Sequence, residues 1–437
     1  MIMKTIAAMM ILSALSGALF GEAAPARSDS LTVEQAVRLA VDNHPLVEQA
    51  AGAVAAADAR VQASRTPRYP DVSIAGLYTR LDPVAEMDIP GMGAFKLYPA
   101  NNYDVHLGVR QTIYDFGRIG TGAELAESAR RTAADYVDVV KSNIAYQTVA
   151  AFDALLILQQ SIDVLDEQIG ALEEHLEVSR TKIEAGTATN FDSLTTAVRI
   201  AVAKNERIDA ARSLAAQEIA LRQLTGLPPD RPLAVKGTIA ARAREFDADS
   251  VLAAAMRQRP ELAAARDAES SAAVQARLAS LGDRPSLAFV LSSGFKNGYV
   301  PDLDKLEANV AAGVQLSVPI FNGHRTRYQE AEAQANVRSA AAHTAGIERQ
   351  VSAEVEQALA GVQSSVEKIE NSLIQVRRAE AALAMADAQY RAGVATNLDM
   401  LDAQTALSQA KLVRLRALYD YMTGVNALDR ASGRKIW

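Results

Sequence analysis

Asp399 and Asp402 stand three positions apart. On a helix that spacing puts both carboxylates on one face. Asp192 holds the place of Asp399 in a matching stretch earlier in the chain. Copies of such a face arranged about an axis would stack carboxylates into rings, which attract cations and set ionic selectivity. The same acids also suit the first turn of a helix, where the backbone dipole favours negative charge. Each follows a small-residue tip, Ala185-Gly186-Thr187 before Asp192 and Ala392-Gly393-Val394 before Asp399. Glycine there permits a chain reversal or the close approach of a partner. Asn190 and Asn397 are expected to cap the helices that begin beside them. Other candidate chemistry is sparse. Glu173-Glu174-His175 reads as a solvated helix face rather than a metal site. Gly91-Met92-Gly93 lacks the strand and helix that a nucleotide loop requires. No nucleophile–base pair or carboxylate dyad stands out, so no catalytic residue, cofactor or metal is expected. The absence of cysteine excludes disulfides, thiolate metal sites and thiol nucleophiles.

The elements that position these residues repeat. Gly186 and Gly393 are separated by 207 positions, and the same offset pairs Ile113-Tyr114-Asp115 with Ile320-Phe321-Asn322. Upstream the offset becomes 215, pairing His44-Pro45 with Arg259-Pro260. One insertion, in the Pro- and Gly-containing loop near Asp82 to Asn102, accounts for the difference. A single offset held across glycine, asparagine, aspartate and a strand end indicates a structural duplication. Each half should open with a helix, near Thr32 to Ser64 and again near Ser250 to Leu281. A strand pair, a very long helix, the tip and a returning helix follow. The expected organisation is a leader at 1–26, a first repeat at 27–225, a joining segment at 226–249 and a second repeat at 250–437.

Arg118 to Glu184 contains no proline, and Arg325 to Arg391 is similar. At about 1.5 Å per residue each would form a rod of about 100 Å. Leu155, Ile162, Ile169, Leu176 and Ile183 recur every seven residues, with Leu158, Leu165 and Leu172 interleaved. That is a coiled-coil seam. Val362, Ile369, Val376, Leu383 and Tyr390 repeat it in the second half. The returning helices, near Asp192 to Thr225 and Asp399 to Gly424, should fold back antiparallel.

Period-two alternation marks strands at Val105–Ile113, Val310–Val318, Leu287–Leu291 and, less cleanly, Val72–Tyr78. Each is close to the roughly 9–11 residues of a membrane-spanning strand. Their polar face carries Asp104, His106 and Arg110, which suits a wet lumen. Four strands cannot close a membrane barrel, so they would have to be shared between copies. Residues 1–26 read as a secretory leader, with Lys4 ahead of the apolar run Ile6 to Phe20. No other stretch is expected to span a membrane as a helix. The formal net charge of -7 argues against a nucleic-acid partner.

Leu31-Thr32-Val33-Glu34-Gln35-Ala36, Asn43-His44-Pro45, Gln111-Thr112-Ile113-Tyr114-Asp115, Val318-Pro319-Ile320-Phe321-Asn322-Gly323 and the two tips, in order and duplicated, resemble TolC-type outer-membrane efflux proteins. The resemblance covers nearly all of the mature chain. It implies a mainly α fold with a β-barrel part. Duplicated helical hairpins would form a periplasmic α-barrel. Four strands per chain would contribute to the twelve-stranded barrel of a homotrimer, embedded in outer-membrane lipid. It implies an exit duct for efflux or type I secretion, closed at the hairpin tips. A periplasmic adaptor (a membrane fusion protein) would dock at Ala185, Gly186, Thr187, Ala392, Gly393 and Val394, and an inner-membrane pump or ABC transporter would supply the cargo. Asp399, Asp402 and Asp192 would line the aperture. Where well-known members place an arginine that ties the tip to the position of Asp192, this chain has Ala395. The competing classes are a soluble periplasmic adaptor, which would show one hairpin inserted in small β domains, and an exported enzyme on a helical scaffold. Membrane extraction separates the channel from both.

Overall fold

The computed structural model describes residues 30–91, 93–230, 233–239 and 246–437. The leader therefore lies outside the described residues, as does Met92. The chain opens with α1 (Val33–Asn43) and α2 (Pro45–Arg65). Strand β1 (Asp71–Arg80) leads into the short β2 (Glu86–Ile89) and β3 (Gly93–Lys96), and then into β4 (Asn101–Tyr114). The first hairpin is α3 (Arg118–Glu184) with α4 (Asn190–Thr225). The order then recurs as α5 (Ala248–Gln258), α6 (Pro260–Ala279), β5 (Ser286–Lys296), β6 (Glu307–Ser317), α7 (Arg325–Arg391) and α8 (Asn397–Ala431).

Three details depart from expectation, two of them in the opening helices and the inserted loop. Each opening helix is broken in two, at His44-Pro45 and Arg259-Pro260. Proline has no N–H to give to the preceding turn, but it fits the first position of a new helix. The inserted loop is itself a hairpin, β2 paired with β3, extending the β1–β4 pair beyond Leu81 and Ala100.

Both long helices have 67 residues and end where the tips begin. The heptad seams are turned inward. Leu155, Leu165, Leu172 and Ile169 are buried on α3, and Val362, Val376 and Tyr390 are buried on α7. Because α8 also packs on α3, the helices lie side by side in the order α7, α8, α3, α4. Contrary to expectation, α3 does contain a window apolar enough by composition to cross a membrane, with mean hydropathy 1.4. Packing explains that composition. Phe152, Leu155 and Leu156 form a core with Ala36 of α1, Leu221 of α4 and Ile239 of the joining segment. That segment is tied down where Leu31 and Val235 form a parallel bridge.

The four main strands make one antiparallel sheet in the order β1-β4-β5-β6. Its register gathers Val72, Ile74, Val105, Leu107, Val109 and Val314 on one face. The other face carries Asp104, His106, Arg110, Lys296, Asn309 and Gln315, linked by Asp104 to His106 at 3.1 Å and Arg110 to Gln315 at 3.1 Å. It is the apolar face that lacks cover. Ile74 is 78 % exposed and Val314 63 %. Aromatic side chains sit at both ends of the strands. Tyr78 and Tyr103 stack at 5.2 Å at one end, while Tyr114 meets Phe116 at 4.8 Å at the other. Tyr103 to Tyr114 spans about 37 Å at about 3.4 Å per residue. At a tilt near 40° this is a band of about 28 Å, matching the apolar belt of an outer-membrane barrel.

Candidate functional site

The candidate gate and docking residues gather at the two hairpin tips, remote from the sheet. Each long helix ends the same way. Ala185 and Ala392 keep right-handed backbone, and then Gly186 (φ 74°) and Gly393 (φ 76°) turn left-handed. That conformation lets Thr187 N–H reach the Lys182 carbonyl at 2.8 Å and Val394 N–H reach the Gln389 carbonyl at 2.9 Å, closing the last turn. A methyl group added at either glycine would meet nothing within 4 Å, so only the backbone demands glycine. Gly186→Ala and Gly393→Ala are each expected to destabilise a tip by about 1–2 kcal/mol, and asparagine, which tolerates this conformation, by less. Hydrogen exchange at the tips measures this. Equal protection in the alanine and asparagine variants would contradict it.

Threonine, not asparagine, caps the returning helices. Thr189 and Thr396 occupy the cap positions, and Asn190 and Asn397 are the first helical residues. Asp192 and Asp399 complete reciprocal capping boxes. The Asp192 carboxylate accepts from Thr189 N–H at 2.8 Å, and that of Asp399 accepts from Thr396 N–H at 2.8 Å and its hydroxyl at 2.6 Å. The Thr396 bonds hold the Asp399 carboxyl below the usual carboxylate range. Asp402, one turn on, points outward and meets Arg199 of α4 at 3.3 Å. Two of the three candidate acids thus have local capping work, and the third has a cation beside it.

Asn397 has a larger role than capping. It is buried, and its amide donates to the Asp192 carbonyl at 3.1 Å and to the Thr195 hydroxyl at 3.2 Å. Its side-chain oxygen must therefore accept from His175 Nε2–H, at 2.6 Å. His175 is only 6 % exposed, so it is not part of a solvated face, although Glu173 and Glu174 beside it are exposed. Next to it, Ser179 meets the Tyr390 hydroxyl at 3.2 Å, and Lys182 lies 3.9 Å over the Tyr390 ring while donating to the Tyr390 carbonyl. Below this layer Leu401 packs with Ile169, Leu172, Ile200 and Ala203. A polar staple over an apolar plug thus joins the tip of the second hairpin to the first. Sequence reasoning missed it, yet a signal was present. Gln168, His175 and Lys182 recur every seven residues, a polar line along the α3 seam.

The duplicated hairpins, the open-edged amphipathic sheet and the paired tips can now be set beside known proteins. The family described as outer membrane efflux protein matches residues 36–227 and 251–434. The chain belongs to this family. Among curated relatives, the alkaline protease secretion protein AprF of Pseudomonas aeruginosa is 27 % identical over 286 residues, spanning 63 % of this chain and 58 % of its own length. The outer membrane protein TolC of Vibrio cholerae is 25 % identical over 318 residues, 71 % of this chain and 72 % of its own. The solved structure of VceC from Vibrio cholerae superposes with a TM-score of 0.79 at 20 % identity, covering 92 % of this chain and 96 % of that one. Membership of the outer membrane efflux protein family gives the exposed apolar sheet face its setting, since a bilayer covers what none of the other described residues does.

Proposed function

We propose that the protein is the outer-membrane exit duct of a tripartite efflux or type I secretion system and catalyses no reaction. Three copies close twelve strands into one barrel. The last strand of one sheet, β6, pairs with the first strand, β1, of the next. The alternating order β1-β4-β5-β6 makes that pairing antiparallel too. The observation that carries the reading is the sheet itself, apolar and exposed on one face, polar on the other, and open at both edges. Lipid tolerates no open edge, so closure between copies follows. Below the membrane the hairpins continue the duct through the periplasm. The tips Ala185–Thr187 and Ala392–Val394 receive a periplasmic adaptor, and the inner-membrane pump or ABC transporter behind it provides the driving force and chooses the cargo. Until docked, the tips keep the duct shut.

Asp399 and Asp402 then form stacked acidic rings at the narrow end, with Asp192 behind them. Reconstituted in planar bilayers, the protein is expected to show small, mostly closed conductance that trivalent cations block. Asp402→Ala should weaken that block by about tenfold, equivalent to about 1.4 kcal/mol. Asp399→Ala should act in the same direction. Arg199→Ala, which removes the cation beside Asp402, should strengthen the block. Unchanged block in all three would remove the acidic aperture from the reading. Failure to insert at all would remove the duct.

A further inference from the structure

The register of the sheet sorts the charges on its polar face into two rows. Near the helices, Asp71 of β1 stands opposite Arg110 of β4. At the far end, Asp104 of β4, Lys296 of β5 and Glu307 of β6 stand side by side. Asp104 and Arg110 are six residues apart, about 20 Å along the strand at about 3.4 Å per residue. Between the rows this face carries neutral side chains such as Ser73, Ser292 and Asn309, and one histidine, His106. In the outer row Lys296 lies 3.5 Å from Asp104, and Lys305, just before β6, lies 2.5 Å from Glu307. Two acids and two ammonium groups balance. His106 joins them from the next position on the face. Its Nδ1 donates to Asp104 at 3.1 Å, because a carboxylate can only accept. That leaves Nε2 to take a proton. The residue opposite on β5 is Gly294, where an added Cβ would lie 2.7 Å from that of His106, so no side chain covers the imidazole from that side. On β1 its neighbours are Ser73, Ala75 and Leu77, none of which titrates.

We propose that the outer row is a second ion-selective belt, at the exterior mouth of the duct, and that His106 sets its preference. This rests on the barrel of three copies proposed above, which turns the polar face into the lumen. With a neutral imidazole the belt is balanced. A proton on His106 leaves one uncompensated positive charge per copy, and a ring of such charges repels cations and draws anions. The duct then has a fixed acidic filter at the tips and a switchable one at the exit. Into an acidic exterior, anionic cargo leaves more readily and cationic cargo less so.

Planar bilayers under a salt gradient read the preference as a reversal potential. When the compartment on the barrel side goes from pH 8 to pH 5, the cation-to-anion permeability ratio is expected to fall by about threefold, the effect of one unit charge at about 7 Å in water. Histidine changes charge in that range and exposed carboxylates do not. Asp153 titrates there too, but it is buried and common to parent and variants. His106→Gln should abolish the shift, and His106→Lys should show the acid preference already at pH 8. Lys296→Gln, which unbalances the belt the other way, should raise the ratio at both pH values. His343→Gln, at an exposed site on α7, should behave as the parent does. A shift that survives in His106→Gln, or one ratio shared by all variants, would overturn the belt and leave the duct standing. A protein that never conducts would overturn both.

Discussion

Ile74→Arg is expected to keep the protein out of the outer membrane, while Ala311→Arg, on the opposite face of the same sheet, leaves insertion intact. Ile74 pairs with Leu107 in the middle of β1 and is 78 % exposed, on the face that also carries Val72, Val105, Val109 and Val314. Arginine at the midplane of a lipid-facing strand costs about 2–4 kcal/mol in each chain. Domain stability is only about 5–15 kcal/mol. In each chain the cost is therefore a sizeable share of the stability of one domain. Ala311 pairs with Ser292 on the face of Arg110 and Gln315, where another guanidinium remains in water. Density-gradient fractionation of cell envelopes reads the outcome directly. If Ala311→Arg were excluded and Ile74→Arg inserted, the two faces would have been assigned the wrong way round. If both inserted, lipid would not be the cover of the apolar face.

The large elements were legible because each rests on a long, redundant pattern. Sixty-seven residues without proline and with a heptad seam leave little but a long helix, and α3 and α7 begin and end where the sequence placed them. Period-two alternation over five to nine residues marked the four main strands, least cleanly at Val72–Tyr78. The misses are local. Four-residue strands such as β2 and β3 are too short to display a period, so their segment read as a loop. Threonine and asparagine are both good helix caps and stand adjacent at each tip. Only the spacing of three from Thr189 to Asp192, the capping-box spacing, separates them. His175 was misjudged for a different reason. Residue type says that a histidine between charged residues is solvated, whereas the position of a residue on a seam depends on which helix lies opposite. That helix, α8, comes more than 200 residues later.

Asp153→Asn is expected to stabilise the protein at neutral pH, with a gain that disappears in acid. Asp153 lies in the middle of α3, is 4 % exposed, and accepts one hydrogen bond from Asn426 of α8 at 2.7 Å. Burial pushes its carboxyl up to about 6, and the Asn426 bond only partly opposes this. The unfolded chain, with an ordinary carboxylate near 3.8, gives up its proton first. Between about pH 4 and pH 6 the folded protein therefore binds more protons than the unfolded one, and its stability falls as pH rises. Above about pH 6 the full penalty applies, about 3 kcal/mol for a shift of that size. Asparagine keeps a partner for Asn426 and carries no charge. The stability difference between variant and parent should thus be largest at pH 7 and vanish below about pH 4. Denaturant unfolding of both proteins at pH 4, 5.5 and 7 measures it, and a difference that does not change with pH would contradict the assignment. The repeat adds a reason for the acid to be there at all. The mates of Asp153 and Asn426 are Ala360 and Ile219, and Ile219 is 65 % exposed. The seam inside the chain is thus marked by a buried polar pair, whereas the matching positions on α7 and α4 carry the apolar Ala360 and Ile219. An exposed α4 face that slid into the internal seam would leave Asp153 without its hydrogen bond. The charge that weakens the fold at neutral pH thereby distinguishes α8 from its twin α4 as the helix that fits the internal seam.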